Sequence, residues 1–267
     1  MDLQKARQRS ADHPDSQTSL TREALTSRLL KMAFRFRLWL HVLIYVGAFA
    51  ITWLVPHGTA EQRVWLTLPE AASAHLPISL HSAIVTTTGL ATLLACFGAL
   101  LRTWGGAYLG EGVVFDPQAQ SHDFAVSGPF RHVRNPLYLG TMLHTLALCL
   151  LMSWEGAAFA ILAIAALQMA LILSEERFLT SRLGSVYGDY VREVPRLVPR
   201  VSGVAARGSI KANWIRAFAS EIYMWGTAIS FAVFGSTYNA LLILQGVMVS
   251  FGLSIVVRGL MGKAEAH

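Results

Sequence analysis

The chain is poor in charged residues and in cysteine, and each shortage excludes a class of protein. Asp, Glu, Lys and Arg make up only 14% of 267 residues, whereas 54% are hydrophobic. This composition excludes an ordinary soluble domain and predicts a polytopic membrane protein. The two cysteines, Cys96 and Cys149, both fall inside apolar segments. They offer neither a disulfide framework nor metal-ligand spacing, so we expect no metal site.

Acidic residues are fewer than basic ones, which gives a formal net charge of +6. The cations cluster beside the apolar runs and do not form a separate basic domain. This distribution favours lipid headgroups and membrane topology as the reason for the charge. We therefore expect membrane lipids, and no nucleic acid, as partners.

Apolar runs separated by polar segments predict an all-α fold with about six membrane-spanning helices. Arginines flank the runs so that both termini are predicted to be cytoplasmic, whereas the poorly basic loop 56–77 is predicted outside. The sequence leaves the oligomeric state and the particular membrane open. The predicted crossings are 38–55, 80–101, 137–152, 157–174, 216–234 and 240–257.

Four regions follow from this pattern. Residues 1–30 are predicted to form a polar flexible tail, with an interfacial helix near Thr21, and residues 31–101 hold the first two crossings. Residues 102–200 are predicted to form a core around a helical hairpin, in which 102–110 lies at the membrane interface. Residues 201–267 hold a C-terminal helix pair.

A polar motif, Arg134-Asn135-Pro136-Leu137-Tyr138, stands at the start of the third crossing. Pro136 suits the first turn of a helix and biases the residue before it away from the α region, so the helix is predicted to begin here. A helix N-terminus beside Arg134 is suited to an anionic group. The alternative is that Arg134 and Arg131 only anchor the chain at the interface.

Two adjacent carboxylates, Glu175 and Glu176, are predicted to end the returning helix of the hairpin, on the same side as Arg134. Acidic groups at a helix C-terminus oppose the helix dipole, and this misfit favours a functional role. An arginine and a nearby glutamate can clamp a zwitterion, because the guanidinium takes its carboxylate and the glutamate takes its ammonium group.

The two motifs together resemble the isoprenylcysteine carboxyl methyltransferase family, in particular its bacterial members, and the related phospholipid N-methyltransferases. The resemblance covers about residues 100–200. Asn135 stands where the eukaryotic enzymes have histidine, and Leu171 stands where the prenylcysteine enzymes have a substrate-binding arginine. The matching residues are Arg134 to Gly140, Glu175 to Leu179, Gly184, Tyr187, Tyr190 and Val194 to Pro199, with Arg102, Trp104 and Tyr108 upstream.

The resemblance implies S-adenosyl-L-methionine as cofactor, bound on the cytosolic side of the hairpin, and a lipophilic or prenylated acceptor or a lipid. It implies that Asn135, Pro136 and Tyr138 line the cofactor site. Glu175 would contact the cofactor and Arg134 would contribute charge. Tyr187 and Tyr190 match the family's C-terminal cap.

Arg134 and Glu176 are the candidate catalytic residues. A carboxylate acceptor needs no general base, whereas an amine acceptor must lose a proton, for which Glu176 is the candidate. Three alternatives stay open: a phospholipid N-methyltransferase, a membrane NADPH-dependent reductase of the steroid reductase type, and a non-catalytic membrane binding protein. The absence of a GxGxxG motif discriminates little, since such reductases do not need one.

Three histidines and one glutamate lie in or near the crossings without a place in either motif. His41, His81 and His144 are predicted to be hydrogen-bonded between helices, since their spacing is not that of metal ligands. Glu221 is expected to pair with Arg216 or Arg258.

Overall fold

The computed structural model describes residues 36–54, 63–109, 126–206, 211–237 and 239–264, without the side chains of 236 and 261–264. Within these ranges the chain is helical and forms no strand, which confirms the predicted all-α fold. The tail 1–30, with the helix expected near Thr21, lies outside the described residues. The helices are α1 (Arg37–Leu54), α2 (Val64–His75), α3 (Leu80–Ala107), α4 (Pro136–Cys149), α5 (Trp154–Leu183), α6 (Ser185–Glu193), α7 (Trp214–Ser220), α8 (Ile222–Phe234) and α9 (Ala240–Ala264).

Four of these helices, α1, α3, α5 and α9, are long and apolar enough to cross a membrane. The consecutive helices α7 and α8 meet that test together, although they are bent by 65° at Glu221, and so give a fifth candidate. The remaining predicted crossing corresponds to α4, an apolar helix of 14 residues. It is shorter than the roughly 20 residues that span a bilayer.

In two places the chain is more helical than the sequence predicted. The loop predicted at 56–77 contains α2, whose Trp65 is buried and whose Val64 N–H donates to the Met152 carbonyl at 2.9 Å. The second crossing does not end at 101, because α3 continues to Ala107. Its glycines are helical there because α4 packs closely: a Cβ at Gly105 would lie 2.4 Å from Leu137 Cδ1. Packing against α4 therefore outweighs the low helix propensity of these glycines.

Helices α3 and α4 approach most closely at a pair of glycines. A Cβ on Gly98 would lie 2.7 Å from the Gly140 carbonyl oxygen, and a Cβ on Gly140 would lie equally close to the Gly98 carbonyl oxygen. The two backbones are therefore in direct contact. This contact places the start of α4 beside the C-terminal half of α3.

Replacing Gly98 with valine should separate α3 from α4 and lower stability by about 1–3 kcal/mol, the usual cost of overpacking a tight contact. The measurement is the thermal unfolding midpoint in detergent. Gly89→Val is the matched control, because Gly89 lies on the same helix and an added Cβ there meets nothing within 4 Å. Equal midpoints for the two variants would contradict the expected contact.

Helices α4 and α5 form the predicted antiparallel hairpin. The Ser153 hydroxyl caps α5 by accepting from the Gly156 N–H at 3.2 Å, and Cys149 contacts the Ala157 carbonyl near the same turn. Helix α1 packs on α5, and α8 packs on α3. The main hydrophobic core surrounds this turn, with Leu148, Leu151 and Met152 fully buried. The start of α4 and the last part of α5 therefore lie at the end of the hairpin away from this core.

Candidate functional site

The start of α4 and the last third of α5 bring the two sequence motifs together, as predicted. Pro136 is the first helical residue of α4, and Asn135 precedes it with φ −125°. The Asn135 side chain does not cap the helix; its Nδ2 donates to Glu176 Oε1 at 3.3 Å. The Tyr138 hydroxyl donates to Glu175 Oε2 at 3.0 Å.

The expected position of the glutamates within their helix was wrong. Helix α5 does not end at Glu175 and Glu176 but continues to Leu183, where Gly184 ends it with φ +54°. The pair therefore lies inside the helix, about two turns from its C-terminus. The argument from an unfavourable helix dipole does not apply, and the case for function must come from their partners.

Glu176 is buried and neutralised by two arginines. Its Oε1 lies 3.1 Å from Arg134 Nη1, and its Oε2 accepts from Arg196 Nη2 at 2.7 Å. Arg196 Nε also lies within hydrogen-bond distance of both carboxylate oxygens, at 3.1 and 3.2 Å. Both oxygens of Glu176 are thus occupied by donors. Hydrogen bonding to Glu176 raises the pKa of Arg196 above its ordinary value.

Arg196 belongs to a segment, residues 194–204, that we call the strap. The strap lies along residues 131–134 through backbone hydrogen bonds: Arg134 N–H donates to the Pro195 carbonyl at 2.9 Å, and Val204 N–H donates to the Arg131 carbonyl at 3.0 Å. These bonds place the Arg196 side chain over Glu176. Arg196 was part of the sequence motif but was given no role. The prolines on either side of it, Pro195 and Pro199, were the feature that could have drawn attention to this segment.

Among the described residues of the site, Arg134 is the one that has buried side-chain nitrogens without a hydrogen bond. Its side chain is 9% exposed, and its Nε and Nη1 atoms are buried without a hydrogen bond, although Nη1 is ion-paired with Glu176. A buried guanidinium nitrogen without a hydrogen bond costs free energy unless an acceptor is supplied. The arrangement is therefore suited to an additional anionic or carbonyl group.

Glu175 has a different environment from its neighbour. It is partly buried and accepts from Tyr138, and the Arg37 guanidinium on α1 acts on it electrostatically, although the described residues give it no salt bridge. One glutamate of the pair is therefore neutralised by fixed cations. The other carries a charge that a cationic ligand would balance.

Tyr187 and Tyr190 lie on α6 and are buried in a second hydrophobic cluster with Val126 and Val194. The Tyr190 hydroxyl donates to the Phe130 carbonyl at 2.9 Å, which ties α6 to the segment before Arg134. Burial and, to a smaller extent, nearby Glu176 together raise the pKa of Tyr187 to about 12, against the opposing effect of Arg134. Tyr187 thus stays protonated near neutral pH and lies close to the two charged residues of the site.

An open groove of about 370 Å³ runs beside Glu176 on the strap side of α5. Five of its six lining residues carry polar side chains. The described part of the chain holds no group of three or more His, Cys, Asp or Glu side chains arranged for a metal ion. The lining residues are Leu173, Glu176, Arg177, Thr180, Ser181 and Arg196.

A second buried ion pair lies beside the site. Arg102 on α3 donates through Nε and Nη2 to the two carboxylate oxygens of Glu221, at 2.7 and 2.8 Å. Its Nη1 donates to the Thr141 hydroxyl on α4 at 2.9 Å. The expected partners of Glu221, Arg216 and Arg258, were wrong, because the α7–α8 bend turns its carboxylate towards α3.

Two of the three histidines, His41 and His144, have different environments in the structure. His41 is hydrogen-bonded between helices as predicted, with Gln168 as its partner on α5 at 3.2 Å. His144 is fully buried, yet neither ring nitrogen makes a hydrogen bond, so that expectation was wrong. Its ring packs against Tyr223 with centroids 5.1 Å apart. Packing, not hydrogen bonding, holds it in place.

One comparison with known proteins gives a match. Residues 86–188 match the sequence model of the phospholipid methyltransferase family, which is less than half of the 267-residue chain. The matched segment contains Arg102, the Arg134 to Tyr138 motif, both glutamates and Tyr187. No curated protein and no solved structure matches the chain. The match supports a multi-pass membrane methyltransferase, and it coincides with the region that holds the clustered polar residues.

Proposed function

We propose that the protein is an S-adenosyl-L-methionine-dependent methyltransferase of the membrane that acts on a lipophilic acceptor. The observation that carries this proposal is Arg134: a guanidinium nine-tenths buried, with two nitrogens lacking hydrogen bonds, beside two glutamates in the segment that matches the family. A zwitterionic amino-acid group needs such a neighbouring cation and anion.

The residues present fit the methionyl end of this cofactor. Arg134 would bind its carboxylate, because a guanidinium offers two parallel N–H groups to one carboxylate. Glu175, which forms no salt bridge with the described residues, would bind its ammonium group. Asn135, Pro136 and Tyr138 would line the site, with Tyr187 beside Arg134. Tyr190, whose hydroxyl is occupied by Phe130, would hold α6 in position.

The cofactor, when bound, supplies a methyl group on a sulfonium sulfur for an in-line displacement. The protein's part is then to align the acceptor and to exclude water. Glu176 would fix Arg134 and Arg196 in place, since donors already occupy both of its oxygens. With an amine acceptor a proton must leave, and Glu176 is poorly placed to take it, because donors already occupy both of its oxygens.

A phospholipid amine is the second candidate for the acceptor, beside a prenylcysteine carboxylate. Leu171, one helical turn from Glu175, is 1% exposed and apolar. An acceptor carboxylate would find no cation at this position, whereas an amine needs none. The site would face the cytoplasm, because the arginines of the strap and of α6 belong on that side by the positive-inside rule.

Calorimetry on detergent-purified protein tests the proposal. We expect saturable binding of S-adenosylmethionine and S-adenosylhomocysteine, and at least a tenfold loss of affinity in Arg134→Ala and in Glu175→Ala, because each removes a charge-assisted hydrogen bond of roughly 1.5–3 kcal/mol. Arg192→Ala is the matched control, since Arg192 is exposed on α6. Binding of NADPH alone would place the protein with the reductases, and binding of none of the three would favour a non-catalytic protein.

A further inference from the structure

Gln168, in the middle of α5, carries a polar atom without a partner in the apolar interior. Its side chain is 1% exposed, and its Oε1 makes no hydrogen bond. Its Nε2 lies 3.2 Å from His41 Nε2 on α1. Leaving an amide oxygen unpaired inside an apolar bundle is unfavourable, so a donor is expected at this position.

The orientation of the Gln168 amide follows from its neighbour. His41 Nδ1 contacts the Arg37 carbonyl, which can only accept, so Nδ1 carries the proton. In the neutral ring Nε2 is then an acceptor, and it takes an N–H of Gln168. The amide oxygen must therefore be the free atom. Reversing the amide would place Oε1 opposite His41 Nε2, and both of these atoms are acceptors.

Gln168 lies on the same face of α5 as Glu175. The two residues are seven positions apart, which is close to two helical turns and about 10 Å along the axis. Glu175 is at the end of the hairpin that holds the site, and Gln168 lies nearer the bilayer centre. A molecule with its polar end at Glu175 and its apolar part in the membrane would pass this position.

The boundary between α1 and α5, which we call the α1–α5 seam, is anchored more firmly at the end away from the site. There Ala48 and Thr52 of α1 are buried, and Thr52 accepts from the Ser153 N–H at 3.0 Å. Near the site, His41 contacts Gln168 across the seam, whereas Trp39 and Leu43, 65% and 64% exposed, face away from it. A lipid would therefore reach Gln168 by parting α1 from α5 beside His41.

We propose that the α1–α5 seam is a second binding subsite, in which Gln168 Oε1 accepts a hydrogen bond from the linker region of the lipid acceptor, between its head and its tails. This inference rests on the proposed function, because it takes the acceptor's polar end to lie beside the bound cofactor, at the Glu175 end of the site. Gln168 acts in specificity, since it lies too far from Glu175 to touch the methylated group.

The chemistry of Gln168 Oε1 restricts the class of acceptor. An amide oxygen only accepts, so its partner must carry a hydroxyl or an amide N–H. The two ester linkages of a diacylglycerophospholipid contain no such donor. The subsite therefore selects a lipid with a donor below its headgroup, such as a lysolipid or a lipid with an amide-linked chain.

Two pairs of lipids test this selection by native mass spectrometry of the full-length protein. One pair is lysophosphatidylethanolamine and its 2-O-methyl ether; the other is a 3-deoxyceramide phosphoethanolamine and its N-methylated amide. We expect the donor-bearing member of at least one pair to bind about tenfold tighter, as one hydrogen bond to a buried acceptor allows. Gln168→Met should remove this preference. Gln245→Met, on the exposed face of α9, should keep it.

Equal binding of both members in both pairs overturns the subsite without any variant, so the test does not depend on the folding of Gln168→Met. A preference that persists in Gln168→Met, or that is lost in Gln245→Met, also overturns it. Calorimetry with S-adenosylmethionine separates the two proposals. A protein that binds the cofactor but shows no lipid preference keeps the proposed function and loses this subsite.

Discussion

Replacing Glu176 with glutamine should lower the affinity for S-adenosylmethionine by on the order of 100-fold or more. The change removes the shared anion between Arg134 and Arg196, and Arg134 is only 9% exposed. Leaving a buried charge without its partner costs about 3–5 kcal/mol. We expect the two guanidinium groups to move apart, which disorders the side chain that would hold the cofactor's carboxylate. The measurement is a calorimetric titration in detergent.

Glu193→Gln is the matched control for this experiment, because Glu193 is an exposed acid at the end of α6. It should bind the cofactor as the wild type does. Circular dichroism of both variants shows whether the helices are intact. If Glu176→Gln is folded and retains wild-type affinity, the ion-pair cluster is not part of the cofactor site.

Replacing Arg102 with methionine should lower stability by about 3–5 kcal/mol, because Glu221 is then left buried without a cation. Arg102 also joins three elements, since it bonds α4 through Thr141 and the α7–α8 bend through Glu221. We expect the C-terminal helices to lose their register on α3. Thermal unfolding in detergent measures the effect.

The double variant Arg102→Met with Glu221→Leu should recover most of the lost stability, because both charges are then absent and the site is filled by apolar groups. Recovery shows that the cost comes from an unpaired charge. Should the double variant be as unstable as the single one, the pair would contribute through its geometry, and the unpaired-charge explanation would fail.

Much of the architecture could be predicted from the sequence, because apolar runs and flanking arginines carry the signal for membrane helices. Pro136 correctly marked the start of α4, and the short turn after Met152 correctly predicted the hairpin. The meeting of Asn135 and Tyr138 with the two glutamates followed from that hairpin. These features depend on local sequence and on length, which a single chain reveals.

Other features depend on contacts that no local pattern shows. The end of α5 was misplaced because Glu175 and Glu176 look like a solvated terminus, whereas arginines from distant segments neutralise one of them and let the helix continue. Glu221 pairs with Arg102, which is 119 residues away along the chain. The unpaired oxygen of Gln168 is invisible in sequence, since glutamine on an apolar helix gives no indication of its partners.

The strap has a consequence for how the site comes together during synthesis. Arg134 and Glu176 are both present once α4 and α5 have left the ribosome, but Arg196 follows α6 in the chain. Until the strap lies along residues 131–134, Glu176 has only one of its two cations. The polar cluster is therefore completed by residues made after the hairpin, so the site has its full set of partners only once the strap is in place.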